Sequence, residues 1–346
     1  MSAKSDTDSD YDDDPIEEIE ITPVEYDGPM IAPIIRRTDS PAQKSPRKPL
    51  TIKPFILGAK ILLVIGIIAA YPATVIMNHQ INDDPVSLET GRHWAAGDIG
   101  VSATLLGREL DGPGWASDRH PWHPQAQLTA LPAWQEGLRA SIADHARLTL
   151  TALEGQRDQD LVAAERLLNF DDSLKATPRL QAAREALMRY DDRVAGGVAG
   201  SPQGLDFLKL EMDMTLGWAA QAGLELSDIS TPGDGWLASR EAVAAVYHGK
   251  ARAHAAHELL SAIKTREIAT LERHSAVTEI DVALNKWRSA ANLKPLFVSN
   301  QGSDGLIGAN HPAILAFRLS EAQTATVDAI AKLNAESTPT IVGQAP

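Results

Sequence analysis

The strongest feature of the hydrophobic pattern is one apolar stretch near the amino terminus. Residues 55–77 read FILGAKILLVIGIIAAYPATVIM, and Lys60 is the only charged residue among them. A helix of this length rises about 34 Å, enough to cross a hydrocarbon core of about 30 Å. Because residues 1–50 precede it, a cleaved signal peptide would need an unusually long charged leader. We therefore predict a retained signal anchor with a transmembrane helix at 54–78.

Beyond this stretch the pattern is helical. Apolar residues recur at spacings of three and four, as in Trp134, Leu138 and Ile142, and no period-two run of β-branched residues is sustained. Thr177 and Ser201 each precede a proline, which predicts helix caps at both positions. Breaks at Gly and Pro divide the later part of the chain into helices at about 178–195, 202–226, 236–260, 264–291 and 312–335. The fold class is therefore predicted to be all-α, a bundle of seven or eight helices, either as one domain or as two halves joined near 170–177 or 228–235.

Charge divides the amino-terminal region into two blocks. Residues 1–30 hold eleven acids and one base, whereas residues 31–60 carry a net charge of +6. Such polar composition buries too little apolar area to offset the entropy of ordering, so residues 1–50 are predicted to be a disordered tail. A solvated tail without a partner and a short docking segment near 16–33 both fit. The domains are a tail at 1–50, the span at 54–78, an exported all-α domain at 79–336 and a polar carboxyl-terminal tail at 337–346.

The Lys and Arg residues on either side of the apolar stretch indicate its orientation. Six bases lie between Arg36 and Lys53, and the first base after the stretch is Arg92. By the positive-inside rule the amino terminus is cytoplasmic and the helical domain is periplasmic, as expected for a single-pass protein of the bacterial inner membrane. Gly66 and Ala70 are four residues apart, a small-residue spacing that permits homodimerisation through the span.

Composition excludes several classes of function. The 346 residues include 46 acids, 32 bases and no Cys, for a net charge of −14. An acidic chain does not favour binding to nucleic acid, whose phosphates attract clustered Lys and Arg. Without Cys the chain has no disulfide, no thiol nucleophile and no Cys-ligated metal. The sequence indicates no cofactor.

Two histidines lie at positions i and i+3 of one predicted helix. His254 and His257 stand in the order His-Ala-Ala-His-Glu, which does not match the metalloprotease pattern His-Glu-x-x-His. No third ligand is evident, so the sequence predicts ordinary histidines on a polar helix face and no metal site.

The segment around His120 and His123 is rich in proline and tryptophan. A connector this long and aromatic is either a lid, with Trp115 and Trp122 folded onto the bundle core, or a ligand-binding loop. Elsewhere, the glycine-rich residues 302–308 match no phosphate-loop pattern and predict a connector. The doublets at 171–172 and 191–192 are predicted to be helix caps and surface positions.

Three stretches, taken together, resemble a known family. They are Leu110–Trp115 followed by Leu131–Gly137, then Leu168–Asp171, and finally Gly305–His311. In this order, behind an amino-terminal anchor, they resemble the bacterial inner-membrane family known as domain of unknown function 2333. The chain departs from that pattern at Trp115 in place of a glycine, Leu168 in place of a phenylalanine and Pro312 in place of a serine.

The resemblance implies an envelope location and supplies no catalytic residue. It does single out the residues of the shared motifs as candidate functional positions: Asp111, Pro113, Trp134, Asn169, Asp171, Asn310 and His311. Asn169 or Asp171 can cap a turn and Asn310 can cap the final helix, whereas His311 has no evident structural task.

These observations favour a non-enzymatic envelope scaffold or interaction protein with an envelope protein as its partner. Two alternatives stay open. One is a periplasmic hydrolase or metal-dependent enzyme that uses His311 with Asp111 or Asp171 as its acid. The other is a lipid-binding helical bundle, which requires an apolar cavity between helices.

Overall fold

A computed structural model of the chain describes residues 58, 60–66, 81–88, 92–153, 155–170, 175–229, 238–295, 297–301 and 309–337. Several sequence predictions fall outside these ranges. They concern the tail at 1–50, most of the predicted span, the doublet at 171–172, the glycine-rich residues 302–308 and the tail beyond 337.

The described part of the chain is helical, as predicted. Apart from an isolated bridge between Asn300 and Asn310, its regular elements are α-helices and two short 3-10 turns, at Ala116–Asp118 and Pro124–Gln127. The α-helices are α1 (Gly97–Asp111), α2 (Ala130–Ala152), α3 (Gln159–Leu168), α4 (Ala176–Ala195), α5 (Leu205–Ile229), α6 (Arg240–Arg273), α7 (Val277–Ala291) and α8 (His311–Ser337).

One predicted boundary between helices is wrong. The sequence places a break between residues 260 and 264, but α6 runs without interruption to Arg273 and α7 begins at Val277. The chain reverses at 274–276, where Ser275 takes a φ of 46°. A left-handed serine is rare, since glycine is the residue that adopts this conformation at low cost. No Gly or Pro marks this turn in the sequence.

The long helix α6 is the centre of the bundle. It packs against α1, α2, α5, α7 and α8, while α3 and α4 form an outer layer on α2 and α1. All ten residues at 251–260 are buried, so this segment is enclosed on every side. Close approach depends on small residues: a Cβ on Gly137 of α2 would lie 2.7 Å from the Cβ of Ala251. The described helices belong to one compact unit.

Two helices begin at caps that come from distant parts of the chain. The buried Asp191 carboxylate accepts hydrogen bonds from the amides of Ala95 and Ala96, immediately before α1, at 3.0 and 2.8 Å. Asp118 does the same for α4 through the amides of Ala176 and Thr177. In the doublet at 191–192, Asp191 is therefore a helix cap and Asp192 is a surface residue, as predicted. Thr177 is a capped residue rather than the predicted cap.

The described residues contain no helix that is both long and apolar enough to cross a membrane. Within the predicted span, residues 60–66 are helical. Residues 61–65 of this segment, Ile-Leu-Leu-Val-Ile, have side chains that are between 51% and 71% exposed.

Candidate functional site

Residues 81–88, which we call the strap, follow the predicted span and lie along the bundle. The Asp83 carboxylate accepts from Lys250 Nζ of α6 at 2.7 Å and lies 2.8 Å from Lys294 Nζ just after α7. The Asp83 and Lys250 side chains are 8% and 4% exposed, so this ion pair is buried. Burial alone raises the pKa of Asp83, but the two ammonium groups outweigh it and hold that pKa below its usual range. The strap therefore carries a charged anchor point.

Further hydrogen bonds fix the strap along its length. The Val86 amide donates to Glu258 Oε2 of α6 at 2.9 Å. Arg108 of α1 donates from Nη1 to the Asp84 carbonyl at 2.5 Å and from Nη2 to the Pro85 carbonyl at 2.7 Å. The strap is thus held by α1, by α6 and by the segment after α7, which fixes its direction relative to the bundle.

A groove opens between α1 and α4, beside the strap, and has a volume of about 550 Å³. We call it the α1–α4 groove. Its lining comes from three parts of the chain: Ser87 and Leu88 of the strap, Arg92 and Trp94 before α1, and residues of α1 and α4 that include Ala103, Gly107, Arg108, Asp111, Arg184 and Met188. Of the six candidate positions that the structure describes, Asp111 alone lines this groove.

Two glycines inside α1 shape the groove. A Cβ on Gly100 would lie 2.7 Å from the Trp94 ring, and one on Gly107 would lie 2.8 Å from Arg184 Cζ. Glycine inside a helix costs about 1 kcal/mol relative to alanine. Here the missing side chains allow the Trp94 indole and the Arg184 guanidinium to lie directly against the helix backbone.

The groove is rich in guanidinium groups although the protein is acidic. Arg92 donates to Asp192 at 2.5 Å and to the Met188 carbonyl at 2.7 Å. Arg184 donates from Nη1 to Asp111 Oδ2 at 2.9 Å, in a pair whose side chains are 35% and 66% exposed. Arg108 bonds the two strap carbonyls and forms no ion pair within the described residues.

Trp134 and its neighbours join the segments Leu110–Trp115 and Leu131–Gly137 in the folded chain. The buried Glu109 carboxylate accepts from Trp134 Nε1 and from Gln135 Nε2, both at 2.9 Å. Gln135 also bonds the Gly114 carbonyl and the Ala116 amide. Desolvation raises the pKa of Glu109 and outweighs the two hydrogen bonds that favour its charge. This network ties the loop after α1 to the first turns of α2, a structural task.

The loop after α1 matches the lid hypothesis at one of its two tryptophans. Trp115 is 5% exposed and folds onto the core as the lid hypothesis predicts, but Trp122 is 80% exposed and does not. His120 and His123 each accept, through Nδ1, a backbone amide two residues ahead. These imidazoles stabilise local turns.

The remaining candidate positions have local partners. The Pro113 carbonyl accepts from Arg119 and Gln125, and Asn169 ends α3 by donating to the Glu165 carbonyl. Asn310 Oδ1 accepts the Ala313 amide, so it caps α8 as predicted. Asp171 lies outside the described residues.

His311 has the structural task that the sequence did not reveal. Its Nδ1 accepts the Ser299 amide at 3.0 Å, while its own amide donates to the Ser299 carbonyl at 2.9 Å. Desolvation lowers the pKa of His311. His311 therefore fixes the segment before α8, and Asp111 is engaged with Arg184 elsewhere. The structure does not join these two residues in a contact.

The histidines of α6 are not on a polar face, which corrects the sequence interpretation. His254 is 2% exposed and His257 is 5% exposed. Desolvation, with nearby positive charge, lowers the pKa of His254 to about 3 and that of His257 to about 4. His257 Nδ1 donates to the Leu284 carbonyl and Nε2 accepts from Arg288, which is the neutral form. Among the described residues no three His, Asp or Glu side chains are grouped to hold a metal ion.

Sequence reasoning missed a buried charged network that joins α1, α2, α5 and α6. His145 of α2 lies between two carboxylates: Nδ1 is 3.1 Å from Glu211 of α5, and Nε2 is 3.5 Å from Asp98 of α1. Arg266 of α6 donates to Asp98 at 2.9 Å. The only signal was the position of His145 on a buried helical face. Its partners are 47, 66 and 121 residues away in sequence, and no local pattern connects them.

Comparison with known proteins adds no relative. The chain matches no protein-family model, no curated protein and no solved structure. The resemblance of its motifs to an inner-membrane family therefore stays a prediction.

Proposed function

We propose that this chain is a single-span protein of the bacterial inner membrane that holds a helical domain in a fixed orientation in the periplasm, where the domain binds an envelope protein partner without catalysing a reaction. The observation that carries the proposal is the strap. A segment that begins three residues after the predicted span is already fixed to the bundle through a buried Asp83–Lys250 pair. A flexible tether would need no such attachment.

The exposed apolar side chains at 61–65 support the membrane anchor. Contiguous large apolar residues are rarely exposed to water, and five in succession on a helical segment are suited to contact with lipid. The Lys60 side chain, one turn from the start of the span, is long enough for its ammonium to reach the interface.

The neighbourhood of the candidate catalytic residues favours binding over catalysis. An acid and a base that act together must lie within hydrogen-bond reach of the reacting group. Here His311 is engaged by Ser299, and Asp111 is engaged by Arg184. The described grooves are open at the surface and have charged residues in their walls, which favours a surface ligand over an enclosed lipid.

Topology is tested by cysteine labelling, for which a chain without Cys is well suited. The full chain carrying Gln203→Cys, at an exposed position before α5, is compared with one carrying Ser5→Cys in the tail. In spheroplasts, a membrane-impermeant maleimide should label the first variant and should label the second only after lysis. Equal labelling of both before lysis would contradict the proposed orientation.

The fixed orientation is tested by hydrogen exchange of the full chain in detergent micelles. The amide of Val86 should exchange slowly because Glu258 accepts its hydrogen. Asp83→Asn should speed exchange across the strap about tenfold or more, since it leaves Lys250 buried without its carboxylate. Asp213→Asn, an exposed carboxylate of α5, is the matched control. Rapid exchange of the strap in the unmodified chain would refute the attachment.

Binding is tested by crosslinking in cells and co-purification from solubilised membranes. The full chain and a chain without residues 1–50 should recover the same envelope protein, because the proposal places the partner on the helical domain. Trp122→Ala is the surface variant of choice, as exposed aromatic side chains are frequent hot spots of binding. Capture that requires residues 1–50 would move the function to the tail.

A further inference from the structure

We propose that the α1–α4 groove is a binding site for a phosphate group borne on a small apolar body, held by the guanidinium groups of Arg108 and Arg184. The site is independent of the anchor and of the protein partner proposed above. Three arginines line one groove of a chain in which acids outnumber bases by 46 to 32. A local concentration of guanidinium against that background indicates an anionic ligand.

Both arginines have hydrogen-bond donors to spare. A guanidinium carries five N–H groups in a planar fork that matches the oxygens of a phosphate. Within the described structure Arg184 uses one of its donors, on Asp111, and Arg108 uses two, on the carbonyls of Asp84 and Pro85. Arg108 bonds only neutral carbonyls and forms no ion pair within the described residues, although Glu109 and Glu258 are near enough to interact with its charge. The exposed Asp111 is a partner that a stronger anion can displace.

The site is also built at the level of the backbone. Gly107 permits the Arg184 guanidinium to lie against α1, and any larger residue there would displace it. Arg108 is held from the other side by the strap, so both cations are positioned before a ligand arrives.

The other end of the groove is apolar and aromatic. Trp94 lies over Gly100, with its ring 4.8 Å from Arg92 Cζ, and Leu88 and Ala103 line the same groove. From Gly100 to Asp111 the helix rises about 16 Å, which accommodates an anionic group at one end and an apolar portion at the other. A volume of about 550 Å³ suits a small metabolite or a lipid headgroup with the start of its chains.

Two sources supply this chemistry: soluble phosphate compounds and the headgroup of an anionic phospholipid. The purified full chain in zwitterionic detergent is titrated calorimetrically with inorganic phosphate and, separately, with a short-chain phosphatidylglycerol, using short-chain phosphatidylcholine as the neutral comparison. Tighter binding of phosphatidylglycerol than of inorganic phosphate assigns the lipid headgroup, and the reverse assigns a soluble ligand. Either result supports the site, and no binding of either probe overturns it.

Two variants of opposite sign separate this site from general attraction of ions. Arg184→Gln should weaken binding about tenfold, because it removes charge-assisted hydrogen bonds. Asp111→Asn should tighten binding about threefold or more, because it removes a carboxylate that repels an anion and that competes for Arg184. The second Arg–Asp pair of α4, Arg189 with Asp160 at the same 2.9 Å, lies outside the groove and supplies the controls Arg189→Gln and Asp160→Asn. Equal effects of the two pairs, or no change in any variant, would overturn the proposal.

Discussion

Two buried sites in this bundle each contain a histidine, and the pKa values of the two histidines are shifted in opposite directions. His145 lies between the carboxylates of Glu211 and Asp98, and although burial alone lowers its pKa, these neighbours raise it above its ordinary value of 6.5. His254 is equally buried, 2% exposed, but its ring faces Trp134 and the cations Lys250 and Arg108. Its pKa falls to about 3. Burial lowers the pKa of both histidines, and only the two carboxylates beside His145 reverse that effect.

The difference has a consequence for how the two sites stabilise the fold. The His145 network joins four helices, α1, α2, α5 and α6, through charge, so removing one member leaves another charge buried without a partner. His254 contributes shape, and its Nε2 has no hydrogen-bond partner within the described structure. One site depends on electrostatics and the other on packing.

The largest expected effect is on the charged site. His145→Leu should destabilise the domain by about 3–5 kcal/mol, because Glu211 is 0% exposed and loses the cation that neutralises it. Urea denaturation of the full chain at pH 6.5, followed by tryptophan fluorescence, measures the change. A loss below about 1 kcal/mol would contradict the dependence of this site on charge.

The neutral site should control stability at acidic pH. The folded pKa values of His254 and His257, about 3 and about 4, lie below the ordinary 6.5. Between these limits the unfolded chain binds protons that the fold does not, so stability falls as pH falls from 6.5. Each histidine contributes a slope of about 1.4 kcal/mol per pH unit. Denaturation at pH 5 to 6.5 should show a shallower slope in His254→Leu than in the unmodified chain; identical slopes would mean that His254 is protonated inside the bundle.

The charged site should act in the opposite direction at alkaline pH. Its folded pKa is raised, so its contribution is fully present below pH 6.5 and is lost as pH rises through the folded pKa of His145. The expected slope is about 1.4 kcal/mol per pH unit, for one histidine. Glu211→Gln removes the negative charge and should flatten this slope between pH 6.5 and 8.5. Asp213→Asn, a solvent-exposed carboxylate of the same helix, should leave it unchanged.

The two histidine sites also show which features of the fold can be predicted from sequence. Local patterns predicted the all-α class, the buried face of α2 and the cap at Asn310, because each depends on residues within one or two turns. The caps from Asp118 and Asp191 and the network around His145 join residues that are 47 to 121 positions apart, which periodicity does not encode. The sequence placed His254 and His257 on a polar helix face because a residue's type does not show whether its side chain is buried.

Of the residues that line the α1–α4 groove, the sequence singled out only Asp111. The groove around Asp111 depends on Gly107, Arg184 and the strap, which meet only in the folded chain. Arg108 is 24 residues from the Asp84 carbonyl that it bonds and 76 residues from Arg184, and these separations match no recognisable motif. Trp134, by contrast, was correctly placed on a buried face, although its bond to Glu109 was not foreseen.

The smallest effect on stability is expected for His254→Leu. It is the most direct comparison of the two sites, because a histidine is replaced by leucine in both. His254→Leu should change the free energy of unfolding at pH 7 by less than about 1 kcal/mol, since leucine fills a similar volume and Nε2 has no hydrogen-bond partner within the described structure. The ring contact with Trp134, at 5.5 Å between centroids, is the main interaction that is lost. Urea denaturation beside His145→Leu gives the contrast directly. A loss as large as that of His145→Leu would mean that His254 is held by a polar contact and that both sites depend on electrostatics.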